Sequence, residues 1–223
     1  MINISGYLNI RQSLNFLVLI GTITCANFGF AEKTLPDDLL NLLDKVAVVN
    51  LKDLEEQEEA HEANLAAAQA YLKQHESNAE AWMATAITRA SYARTQGMGA
   101  IGEMKKVRKE IEQAIELDSK VLDGYAHSFL GRLYFMLPAW PISYGSDKKA
   151  KIYIEESLRI NDQTKENQFA YANFLSHQKQ YQQAKQHFLK AKNSTSVINT
   201  PNWVANLDKQ IDEFLVYLDE KIK

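Results

Sequence analysis

From Ala172 to Ala191 small residues stand at Ala172, Ala184 and Ala191 and large ones at Leu175, Tyr181 and Phe188. The steps between these positions are three, six, three, four and three residues. Steps of three and four keep side chains on one face of a helix. The step of six spans a break at 178–180, so the segment predicts a helix, a tight turn and a second helix. Apolar periodicity predicts further helices along the chain. One starts at Pro36, with Asp37 and Asp38 in its first turn and Leu39, Leu40, Leu42, Leu43 and Val46 on its face. Carboxylates there complement the helix dipole. A long helix spans 51–73, solvated over 55–59 and rich in alanine over 65–72. Ser77 or Asn78 caps the next, with Glu80 spaced for a capping box on Ser77.

A return helix is expected over 102–117, a third pair from Val121 with its return over 147–160, and a last helix from Pro201. Trp203, Leu207, Ile211, Phe214, Leu215 and Leu218 fall on one face of that last helix, which suits a cap. Alternating strand patterns are absent, and the single Asp-Gly pair, Asp123-Gly124, falls within a helical pattern. The reading is an all-α chain of helix hairpins with enlarged interhelix loops and a C-terminal capping helix.

The small and large positions over 172–191, together with Ile111-Glu112-Gln113-Ala114-Ile115-Glu116-Leu117-Asp118, resemble the tetratricopeptide (TPR) repeat, whose period is about 34 residues. The resemblance covers about residues 65–193 and implies a stacked array with a concave binding face. A narrower one rests on Leu130-Gly131-Arg132-Leu133-Tyr134-Phe135-Met136-Leu137-Pro138, then Tyr144-Gly145-Ser146-Asp147-Lys148-Lys149-Ala150 and Glu155-Glu156-Ser157-Leu158-Arg159-Ile160. These runs resemble periplasmic TPR proteins of the TatT type, accessory components of tripartite ATP-independent (TRAP) transporters. That resemblance implies interhelix loops around a ligand-accessible channel.

Residues 1–31 carry one basic residue, Arg11, and no acidic one. An apolar run from Leu14 ends in small residues, with Gly29 and Ala31 three and one positions before Glu32. This is the pattern of a secretory signal peptide, so residues 1–31 are read as a leader and 32–223 as the helical domain, placed in the periplasm. An uncleaved anchor is the alternative; the 18-residue run diluted by Asn15 and Asn27 is short for a stable span. Cleavage removes the only cysteine, Cys25, which suits an oxidising compartment, and takes the net charge from −3 to −4. A weakly acidic chain lacks the clustered cations that nucleic acid calls for.

Gly97, Gly99 and Gly102 spell GxGxxG, but the strand that a dinucleotide site needs is missing, and the glycines are read as an interhelix loop. Glu58 and His61 have ExxH spacing; a di-iron bundle needs two such pairs and two further carboxylates. The sequence points to no metal, cofactor or catalytic constellation. The candidate ligand or partner site is the loop 138–145: Pro138 and Pro141 fix φ, while Trp140 and Tyr144, with Tyr134 nearby, offer apolar area with polar tips. The loop is expected to border a cleft between the third pair of helices, with Asp147 capping the helix that follows. The alternative is structural, with Trp140 sealing the helix pair. Tyr92, Tyr125, Tyr153 and Tyr171 are open to either a groove or the core. Two functions follow. The first is a non-catalytic protein–protein adaptor in the cell envelope. The second is a transport accessory that binds a small apolar ligand.

Overall fold

The computed structural model describes residues 35–52 and 54–223. The segment read as a leader lies outside them. The described residues form helices α1 (Asp37–Val49), α2 (Leu54–Gln74), α3 (Ala79–Ala93), α4 (Ala100–Leu117), α5 (Tyr125–Met136), α6 (Asp147–Ile160), α7 (Lys165–His177), α8 (Tyr181–Lys192) and α9 (Pro201–Ile222). Short 3₁₀ turns at Gly97–Gly99 and Val121–Gly124 precede α4 and α5. No described helix is long and apolar enough to cross a membrane.

The helices pair as antiparallel neighbours, α1 with α2, α3 with α4, α5 with α6 and α7 with α8. Each pair packs on the next, and α5 also packs on α7. Buried stripes explain the pairing. On α2, Gln57, His61, Leu65, Ala68 and Leu72 are buried at helical spacing. Ala172, Ala184 and Ala191 are fully buried beside Phe169 and Phe188, so the register read over 172–191 holds. Lys179, at a φ of 60°, makes the turn between α7 and α8. Inside the third hairpin, a Cβ added to Gly131 would stand 2.5 Å from Ile154 Cγ1. Only glycine lets α5 and α6 approach that closely.

Three local expectations are corrected. Asp123-Gly124 is not helical: Leu122 and Asp123 have φ of 49° and 51°, and Gly124 reaches 83°, which favours glycine. Asn167 holds this break, its Nδ2 donating to Asp123 O and Asn161 O, both at 2.9 Å. Of the two caps read for α3 it is Asn78 that serves, its Oδ1 accepting from Ala81 N at 2.7 Å, so Ser77, on which the capping box was read, lies one residue before the cap. Ser146 caps α6, accepting from Lys149 N at 3.3 Å. Asp147 instead faces α7, within 3.1 Å of His177 Nε2 and 2.9 Å of Gln178 Nε2.

The last helix does more than cap the array. It packs along α8, and its first turn reaches α1, where Asp44 accepts from Asn202 N at 3.1 Å and Asn202 Nδ2 at 2.8 Å. Lys165 of α7, almost fully buried, donates to Asp208 at 2.5 Å. So α9 is fastened at α1, α7 and α8 together.

Candidate functional site

The loop residues singled out in the sequence face different ways. Trp140 is 86% exposed, and Pro138 and Pro141 are exposed. Trp140 therefore does not seal the helix pair. Tyr144 turns the other way. Its hydroxyl donates to Met104 O at 2.8 Å, its ring meets that of Tyr134 edge-on, and the Arg108 guanidinium lies 4.7 Å above it. Burial raises the pKa of Tyr144. Tyr134 is 3% exposed and stacks on Tyr153 at 5.5 Å. Tyr134 and Tyr144 thus hold α4, α5 and α6 together. The loop closes on itself, with Gly145 N donating to Pro138 O at 2.9 Å and Ser146 N to Tyr134 O at 2.7 Å.

A cavity among the described residues lies elsewhere. It measures about 220 Å³ and is lined by α3, α5 and α7, with α9 as the facing wall. Each helix contributes at helical spacing: Ile87, Ala90, Ser91 and Arg94 from α3; Tyr125, Phe129, Arg132, Leu133 and Met136 from α5; Trp203, Asn206, Leu207 and Gln210 from α9. Glu166 and Phe169 come from α7, Met104 from α4, and Asn50 follows α1. Of the tyrosines left open between groove and core, Tyr125 lines this cavity.

Three charged side chains line it; Arg94 is exposed, and its Nη1 donates to Asn50 Oδ1 at 3.2 Å. The Glu166 carboxylate is 3% exposed and well satisfied. Oε1 accepts from Ser196 Oγ and from Trp203 Nε1 at 3.1 Å, and Oε2 from Val197 N at 3.1 Å. It pins the α8–α9 connection and the Trp203 ring onto α7. Burial raises its pKa, against the pull of those hydrogen bonds. Arg132 is different. Its guanidinium lies 4.9 Å from the Phe169 ring centre, its Nε is enclosed without a hydrogen-bond partner, and no described carboxylate pairs with it. Burial lowers its pKa, opposed by the nearby Tyr125 hydroxyl. Tyr125 is 5% exposed, its hydroxyl donates to no described acceptor, and burial raises its pKa.

The other sequence candidates fall apart in space. Glu58 is exposed and accepts from Gln96 Nε2 at 3.1 Å, while His61 is fully buried. Gly97 and Gly99 form the 3₁₀ turn before α4, and Gly102 lies within α4. The signal that sequence reading passed over was Arg132 itself. Tyr125, Phe129, Arg132, Leu133 and Met136 make one stripe of α5, and a cation in such a stripe has to find a partner or a ligand.

The described residues thus form an array of helix hairpins closed by a long last helix. The family model described as TRAP transporter T-component (TAtT) matches residues 38–206. The chain belongs to that family. No curated protein matches the sequence.

Proposed function

We propose that the protein is a non-catalytic, periplasmic accessory of a TRAP-type transporter that holds a small, mostly apolar molecule between α9 and the α3, α5 and α7 face. One observation carries this reading. Helix α9 faces α3, α5 and α7 across a cavity of about 220 Å³, on the face that an open hairpin array would present to a peptide. The wall is largely apolar, as small-molecule sites are. The small and large spacing over 172–191 supports a TPR-like array, and the leader-like pattern of residues 1–31 supports export.

The adaptor reading keeps one supporting feature. Met136, Trp140 and Ile142 are 62%, 86% and 60% exposed in and beside one loop. We assign that loop to contact with a transporter subunit, because exposed aromatic and aliphatic anchors suit protein interfaces. Native mass spectrometry of the purified protein tests the cavity reading. A co-purified small molecule, lost when Leu207→Trp fills the cavity, is the expected result. Protein that carries no small molecule from any growth condition, yet captures a peptide on the hairpin face, would return the adaptor reading to first place.

A further inference from the structure

The chain is acidic overall, with 28 Asp and Glu against 25 Lys and Arg, yet the helices that flank the loop between α5 and α6 start out basic. Residues 104–109 put four cations and no acid on the first half of α4, and 148–151 put three lysines at the start of α6. The base of the loop joins the two clusters. Tyr144 donates to Met104 O of α4 at 2.8 Å, Arg108 lies 4.7 Å over the Tyr144 ring, and Lys149 Nζ lies 5.3 Å over the ring of Tyr134. Lys106, Arg108 and Lys151 pair with carboxylates of their own helices. Lys105, Lys109, Lys148 and Lys149 are exposed and enter no ion pair among the described residues. On α8, by contrast, Lys185 and Lys190 find Asp219 and Asp162 at 2.6 and 2.7 Å. The loop itself carries Trp140 and Ile142 out of the fold, both largely exposed. Its backbone is fixed: Ile142 N and Ser143 N donate to Ala139 O at 3.2 and 3.3 Å, and a Cβ on Gly145 would stand 2.0 Å from Leu137 O.

We infer that the transporter subunit docks here through an acidic surface, with an apolar pocket that takes Trp140 and Ile142 and carboxylates around it that meet Lys105, Lys109, Lys148 and Lys149. This inference rests on the assignment of the loop to a transporter subunit and names the chemistry of the subunit's face. Exposed tryptophan is the residue type that most often anchors a protein interface. Lysine is a well-hydrated point charge on a flexible stem, which suits the wet rim of such an interface, where charge steers encounter and selects the partner. The fixed backbone argues for a protein rather than a bilayer. A fluid headgroup layer accepts an apolar side chain in any orientation, whereas a shaped pocket rewards an anchor that is ordered in advance.

The test is surface plasmon resonance on the full protein, with the other subunits of the TRAP-type transporter of the same organism as probes, each purified separately. One subunit should bind, and raising sodium chloride from 50 to 500 mM should slow its association about tenfold or more. Trp140→Ala should weaken binding about thirtyfold or more, as the loss of a central anchor does. Lys105→Glu combined with Lys148→Glu should slow association about tenfold. All three positions are exposed, so circular dichroism should show the fold unchanged. A subunit bound equally well by both variants would overturn the inference and leave the transporter reading standing. With no subunit bound, two further probes decide what takes its place. Binding to phosphatidylglycerol vesicles that Trp140→Ala abolishes would overturn the inference in favour of a bilayer surface. Self-association that Trp140→Ala abolishes, measured by sedimentation equilibrium, would overturn it in favour of a second copy of this chain. If none of these probes binds, the assignment of the loop to the transporter falls with the inference.

Discussion

Gly131 sits in the middle of α5, one residue before Arg132, where α5 and α6 meet. In a helix interior, Gly→Ala normally stabilises by about 1 kcal/mol, because alanine loses less backbone freedom. Here the geometry opposes that gain. The new Cβ would stand 2.5 Å from Ile154 Cγ1, 3.1 Å from Ala150 O and 3.2 Å from Ile154 N. The first contact needs a shift of about an ångström to reach ordinary carbon separation. Ile154 is fully buried, so it cannot swing into solvent, and the other two contacts are backbone. The helices must separate, and overpacking of this kind costs about 1–3 kcal/mol. The balance is a net loss on the order of 1–2 kcal/mol. That corresponds to a fall in Tm of roughly 2–8 °C for a domain of this size. Gly102 supplies the control, since it also lies in a helix and its added Cβ meets nothing within 4 Å. Gly102→Ala should be neutral or stabilising. Thermal and urea unfolding followed by circular dichroism measure both. A Gly131→Ala protein as stable as the parent would refute the close approach of α5 and α6, and with it the placement of Arg132.

Tyr144→Phe removes the hydroxyl that donates to Met104 O, and should cost about 1 kcal/mol in urea unfolding. Trp140→Ala, at an exposed position, should change stability by no more than about 0.5 kcal/mol in the same assay. Ala184→Leu places a larger side chain where alanine is fully buried and should destabilise by about 1–3 kcal/mol, read from the thermal midpoint. His61 is fully buried, and burial first, then Arg94, lowers its pKa from 6.5 to about 4. The unfolded chain therefore binds the extra proton first. The contribution is complete above pH 6.5 and is lost as pH falls towards 4, up to roughly 3 kcal/mol in total. Urea unfolding at pH 7, 5.5 and 4 should show this loss, and His61→Leu should reduce it by about that amount.

The helices were legible because the chain repeats simple steric demands. Ala172, Ala184 and Ala191 alternate with Leu175, Tyr181 and Phe188, and such spacing admits only a close helix pair. The return helix over 147–160 and the start at Pro201 were equally plain, since polar breaks and a first-turn proline mark them. Local breaks were harder. Asp123-Gly124 lies in a helical pattern, but its left-handed backbone is fixed by Asn167, a partner far along the chain. The site was the least legible part. Trp140 and Tyr144 drew attention by composition, yet one faces solvent and the other braces α4. The cavity depends on α9 crossing to α1 through Asp44 and Asn202, a contact that no local periodicity encodes. Once α9 is in place, the stripe from Tyr125 to Met136 becomes a wall, and Arg132 becomes a charge without a partner.

The most direct measurement is a crystal structure of the protein purified with its bound molecule, at a resolution that shows ordered water. The account predicts continuous density between α5 and α9, with the body of the molecule beside Leu207. A cavity filled only by hydrogen-bonded water, or collapsed by Trp203 turning onto Phe129, would contradict it.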